Sequence, residues 1–299
     1  MSRSRGQSLP CVSPVAAVAS LLLLTACGGA LGERHLEPMQ GEIALPEGVR
    51  TVRFEGATAS FKVLSRDEKG QPVIDRKILY RGKLRLAADT PEQLHALRAV
   101  TARLEVAAGA GSADTLVVQA PSMPPGADPM HSVLGAEITV WLPAELSLEL
   151  EARDGGYLEV EDRVGTVRMA TGRGDLRLSR NRGDAVLRTG AGVTIVDRHE
   201  GNLEVQSKAG EVQAWVRKPG ETLRIVTGKG NIQCLVPGET SLRADVRCEQ
   251  GKIANGFGFP VERVLEFGAA MTGQRGDGRT EVVLRSGKGV LSLSHHAFD

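Results

Sequence analysis

The chain has 299 residues, with Lys+Arg 37 against Asp+Glu 36, a formal charge of +1 and only 3% aromatic residues. That length carries a core large enough for independent folding, while the charge balance excludes the basic stripe of a nucleic-acid binder and the aromatics are too few for a row of stacking platforms. Hydrophobic residues at 41% exclude wholesale disorder, and 36 glycines point to a chain with many corners.

The first thirty residues read as an address. Arg3 and Arg5 precede the apolar run Val15 to Leu24, and no acid occurs before Glu33. A run of ten residues is too short to span a bilayer, which takes about 20, but it suits the core of a signal peptide. The run closes on Leu24-Thr25-Ala26-Cys27-Gly28, which looks like the lipobox of a bacterial lipoprotein. Residues 1–26 are then the signal peptide, and Cys27 carries the lipid that holds the chain on a membrane. An ordinary secretory signal with a chance cysteine is the alternative. Processing leaves 35 basic against 36 acidic residues and removes Cys11. Cys234 and Cys248 then remain as a candidate disulfide of an exported chain or as two buried thiols, and their spacing fits no zinc pattern. Residues 27–40 hold the lipidated cysteine and an aperiodic tether.

From 41 to 152 the pattern is that of a β-rich lead-in. Val49 to Phe54, Ala59 to Leu64, Ile78 to Leu86, Ala102 to Val106, Thr115 to Gln119, Glu137 to Leu142 and Leu146 to Leu150 have strand character, with turn residues between them. One helix is expected over Pro91 to Val100. Thr90 is its N-cap, Pro91 its first residue and Gln93 the partner that completes a capping box.

The region 153–299 is organised by a repeat. Gly156, Gly165, Gly174, Gly183, Gly192, Gly201 and Gly210 fall nine apart. The second and fourth residues after each glycine, from Leu158/Val160 to Val212/Ala214, are apolar at thirteen of fourteen places, and five of the seven residues between them are polar. That is the period of a strand with glycine at its corner. The spacing loosens to ten at Gly220 and Gly230, blurs between Gly238 and Gly268, and returns at Gly278 and Gly289. Two strands and two corners make an eighteen-residue coil, so residues eighteen apart stack at about 4.8 Å and Glu159 meets Arg177. The fold class expected is all-β, a strand-rich N-terminal part leading into a β-solenoid-like stack. The alternative is a sandwich of hairpins turning at each glycine.

Several motifs point elsewhere. The repeats lack the GGxGxDxUx of calcium-binding nonapeptides. Arg-Gly-Asp occurs at 173–175, 182–184 and 275–277, in the first two cases at repeat corners that Gly and Asp suit for turn reasons alone. Gly228-Lys229-Gly230 and Gly287-Lys288-Gly289 are not phosphate loops, and Gly-x-Ser-x-Gly does not occur. His295 and His296, adjacent on a strand, point to opposite faces. No catalytic, metal or cofactor-binding residue is singled out, and no cofactor is expected.

The stretch Val140 to Gly155, followed by Gly-x-Val/Leu-x-Val/Leu units from Gly156 and a late Gly276-Asp277-Gly278, resembles the bacterial family of adhesin-like domains of unknown function. The resemblance runs over Thr51 to Ser294 and is strongest over 136–234. The chain departs from the family in having Gly-Asp at only some corners and a less regular stretch from Gly238 to Gly268. The resemblance implies one continuous domain with a stacked β-strand fold, and it brings no catalytic residues. The expectation is a non-enzymatic cell-envelope lipoprotein acting as a binding or structural module, with an envelope protein or glycan as partner and no nucleic acid. Gly28 after the cysteine favours the outer membrane over the inner. A periplasmic structural or envelope-stress component and a carbohydrate-active β-solenoid enzyme are the alternatives.

Overall fold

The structure, a computed structural model, describes residues 33–107, 112–264 and 266–296. The signal peptide, Cys27 and the start of the tether lie outside the described residues. The chain is all-β, with about 65% of it in strands and 3% in helix.

The N-terminal part runs through β1 (Glu33–Ala44), β2 (Thr51–Gly56), β3 (Ala59–Leu64), β4 (Lys77–Ala88), α1 (Pro91–Leu97), β5 (Glu105–Val106), β6 (Thr115–Gln119), β7 (Ser132–Trp141) and β8 (Ser147–Ala152). The glycine repeats supply β9 (Leu158–Glu161), β10 (Val167–Arg173), β11 (Leu176–Ser179), β12 (Ala185–Ala191), β13 (Thr194–Ala209), β14 (Val212–Lys229) and β15 (Ile232–Pro237). The chain ends with β16 (Leu242–Asn255), β17 (Val261–Val264), β18 (Gly268–Arg275) and β19 (Thr280–His296).

Neighbouring repeats do not pair with each other. Each pairs in parallel with the unit after next, eighteen residues on for most and twenty on at Leu203↔Leu223 and Val212↔Ile232, so that Leu158, Leu176, Thr194 and Val212 stand side by side. Leu148, Val167, Ala185 and Leu203 do the same in a second row. One ladder therefore runs β1–β4–β7–β3–β9–β11–β13–β14–β15–β19–β16. The other runs β5–β6–β2–β8–β10–β12–β13–β14–β19–β16–β18–β17. The long strands β13, β14, β16 and β19 turn a corner and belong to both.

The two ladders share one apolar core, in which the Phe54 and Phe61 rings meet with centroids 5.5 Å apart. All fourteen inward positions of the seven glycine units are buried, including Thr194, the one polar residue among them. Glu159 lies beside Arg177 in the ladder, 3.9 Å from its guanidinium. The helix starts where expected: Gln93 N donates to Thr90 Oγ1 at 3.3 Å, and Thr90 N donates to Gln93 Oε1 at 3.1 Å. It stops at Leu97, short of Val100, once Leu94 and Leu97 have reached the core.

Two features depart from the expected organisation. Residues 33–40, read as tether, are the first part of β1, which pairs antiparallel with β4 from Glu33↔Ala88 to Ala44↔Lys77. Their polarity suits an outermost strand: among the described residues β1 pairs with β4 alone, exposes Arg34 and Leu36, buries Met39 and tolerates Pro38 at the edge. The blurred stretch after Gly238 also has a regular place. β16 skips one rung of the stack, and β19 returns to fill it, pairing in parallel with β14 and β15 on one side and β16 on the other.

Cys234 and Cys248 are buried free thiols, with the strand β19 between β15 and β16. Cys248 Sγ donates to the carbonyl oxygen of Gly289 at 3.2 Å, and burial pushes the Cys234 thiol up to about 12. In a chain with Cys11 and Cys27 replaced by serine, neither remaining thiol is expected to react with a thiol reagent while folded. Both should react after denaturation without reductant; a denatured chain with no reactive thiol would establish the bridge instead.

Candidate functional site

The corners joining the first ladder to the second follow β9, β11 and the first half of β13. Each begins with a residue in the left-handed region: Asp162 (φ 57°), Arg180 (φ 52°) and Arg198 (φ 52°), eighteen apart. Side chains rarely adopt this conformation, so three in a column mark a corner shape imposed by the stack. The next residues, Arg163, Asn181 and His199, turn inward and are fully buried. After them come Val164, Arg182 and Glu200, bridged in parallel from rung to rung.

This geometry gathers arginine. A cavity of about 350 Å³ opens at the corner, lined by Arg66, Arg163, Arg180, Arg182, Arg198 and Arg217 against two carboxylates, Asp162 and Glu200. Arg180 is held by a fork, its Nε 2.7 Å from Asp162 Oδ1 and Nη2 3.0 Å from Oδ2, and it also reaches Glu161 at 2.9 Å. The Arg180 hydrogen bonds hold the Asp162 carboxyl below its usual range, and the same pair raises the guanidinium. Looser contacts tie the rest: Arg66 to Asp162 at 3.9 Å, Arg198 to Asp197 at 3.3 Å, and both Arg182 (3.7 Å) and Arg217 (3.4 Å) to Glu200.

The inward column is polar. Arg163 Nη1 donates to Ser65 Oγ at 2.9 Å, Pro143 O at 2.7 Å and Leu142 O at 3.3 Å, and Nη2 donates to Leu146 O at 2.5 Å. Burial pushes this guanidinium down to about 10, so it stays a cation at neutral pH. Asn181 Nδ2 donates to Gly183 O at 3.2 Å, while Asn181 Oδ1 and Arg163 Nε have no partner among the described residues. His199 shares Nε2 with Asn202 O at 3.0 Å, and burial holds its imidazolium form down.

The first two Arg-Gly-Asp stretches serve the stack. Asp175 accepts from Val193 N at 2.7 Å and Asp184 from Asn202 Nδ2 at 3.0 Å, each one rung on, and Arg182 of the second stretch lines the cavity. The arginine corner was missed in reading the sequence, although its signal was there: the eighteen-residue step that stacks Glu159 on Arg177 also stacks Asp162, Arg180 and Arg198. Among the described residues no group of three or more His, Cys, Asp or Glu is placed to hold a metal ion, and no helix is long and apolar enough to cross a membrane. The second ladder's terminal edges, β5 and β17, have two and four residues, and β17 carries Glu262 and Arg263 at its centre. Short charged edges resist strand addition.

No family model and no curated protein matches the chain. Among solved structures it is similar to a putative cell adhesion protein from Clostridium sporogenes, at 13% identity and a TM-score of 0.33, over 88% of this chain and 99% of that one. It is also similar to a putative adhesin from Bacteroides fragilis, at 10% identity and a TM-score of 0.23, over 90% of this chain and 100% of that one. Scores this low leave the chain's own geometry as the ground for its function.

Proposed function

We propose that the protein is a non-enzymatic recognition module of the cell envelope, held on the outer membrane by a lipid on Cys27 and meeting its partner at the arginine corner. The observation that carries the reading is the guanidinium cluster: six arginines line one cavity, against the lining carboxylates Asp162 and Glu200 and, paired to Arg180 and Arg198 from outside the lining, Glu161 and Asp197. A concentrated patch on a near-neutral protein steers and holds an oppositely charged partner. Recognition is favoured over catalysis because Ser65, the one hydroxyl among the lining residues, accepts from Arg163, and the two lining carboxylates, Asp162 and Glu200, are each paired to arginines.

Two measurements on the full chain test this. Radiolabelled palmitate should enter the wild-type protein and not Cys27→Ser, which should leave the membrane fraction. Immobilised protein should retain envelope material that elutes as salt rises, since exposed charge contacts are screened. Retention indifferent to salt, or none, would remove the corner from the reading.

A further inference from the structure

We propose that the arginine corner binds clustered phosphate groups, taking one compact ligand that carries at least two of them. The inference rests on the recognition reading above and adds the ligand class to it.

The lining arginines divide into two sets. Arg163 and Arg180 are occupied, the first by backbone and hydroxyl oxygens and the second by the fork to Asp162 and Glu161. Arg182, Arg198 and Arg217 have side chains more than half exposed, each with a carboxylate at 3.3 Å or beyond; Arg66 is as exposed, but its Nη1 also donates to Gly70 O at 3.0 Å. Arg182 and Arg217 share a single acid, Glu200. Exposed pairs of this kind contribute little and are screened by salt, so a multivalent anion can displace them. Arginine's planar fork matches phosphate oxygens two at a time.

Placement argues for clustered phosphate over a lone carboxylate. Arg180, Arg198 and Arg217 belong to successive rungs about 4.8 Å apart, and Arg66 comes from the loop after β3. Donors arriving from several directions suit a tetrahedral anion, whereas a carboxylate accepts mainly in its own plane. The cavity, about 350 Å³, exceeds a single phosphate ion and matches the lower end of ligand sites. No aromatic residue lines it, so no platform reads a base or a sugar ring. The floor adds to the field. Arg163 is 1% exposed, its guanidinium donates to a hydroxyl and three backbone carbonyls with no carboxylate among these acceptors, and its Nε is left without a partner among the described residues.

The test uses the full chain in a neutral detergent, with Trp215, two residues from Arg217 and 38% exposed, as fluorescent reporter beside calorimetry. Inositol hexakisphosphate is the soluble probe and citrate the carboxylate control. The expected result is one site, about tenfold or more tighter for the phosphate cluster than for citrate, weakening as salt rises. R198A/R217A should lower that affinity about tenfold or more, while R243A/R279A, exposed arginines outside the cavity, should leave it unchanged. Micelles doped with cardiolipin, whose headgroup bears two phosphates, identify the source. Competition supports the site and assigns it to a lipid headgroup; lack of competition, with inositol hexakisphosphate still bound, supports it and assigns a soluble phosphorylated ligand. Equal binding of citrate, equal loss in both double variants, or no binding overturns the proposal. If envelope material is still retained in a salt-dependent way, only the ligand class falls; if nothing is retained, the recognition reading falls too.

Discussion

Gly210→Ala is expected to destabilise the folded chain by about 3 kcal/mol, enough to lower its denaturant midpoint clearly. Gly210 has φ 137°, a region essentially reserved for glycine. A methyl group built there would sit 1.9 Å from the carbonyl oxygen of Gly192, one rung away. The same contact recurs up the column: Gly192 closes on Gly174, Gly230 on Gly210 and Gly289 on Gly230. Relief by a local shift is therefore blocked on both sides, because the rung on each side is itself a glycine packed against backbone. The control is Gly48→Ala, where φ is 87° but nothing lies within 4 Å of the new methyl. That change should cost about 1–2 kcal/mol, the local conformational penalty alone. Denaturant unfolding of both variants gives the comparison. Equal losses would mean that close stacking is not why glycine recurs at these corners.

How much of this was legible follows from where the physical signals lie. Alternation and glycine corners are local and repeated, so the fourteen inward residues could be read off and all are buried. Thr90 and Gln93 announce α1 because a capping box is local chemistry. β1 gave no such signal: its register is set by β4, more than thirty residues on, and its residues 33–40 are mostly polar. The return of β19 is equally silent, since pairing Leu223 with Val282 leaves no mark in either segment alone. The arginine corner stands between these cases. Its residues obey the same eighteen-residue step as the core, but they occupy the corners, where a strand period is not looked for. Long-range pairings of this kind also carry the loop-closure entropy that makes such topologies slow to fold.

Arg163 is where the corner and the core depend on each other, and Arg163→Met is expected to cost about 3–5 kcal/mol. Replacing a buried charge by a hydrophobic residue of similar length is often neutral when the partners are replaced as well. Here the partners are backbone carbonyls of Leu142, Pro143 and Leu146, which no substitution removes. Each buried acceptor left without a donor costs about 1–3 kcal/mol. Arg163→Lys keeps the charge but not the fork, so it should satisfy part of this set and fall between the two. The side chain joins residues twenty or so apart and, through Ser65, residues 98 apart. Its loss should therefore loosen the segment between β7 and β8 together with the loop that carries Arg66. Thermal melts should rank wild type above lysine above methionine, and affinity for inositol hexakisphosphate should fall in the same order. A methionine variant as stable as wild type would mean that water reaches those carbonyls and that the guanidinium is not what ties the corner to the core.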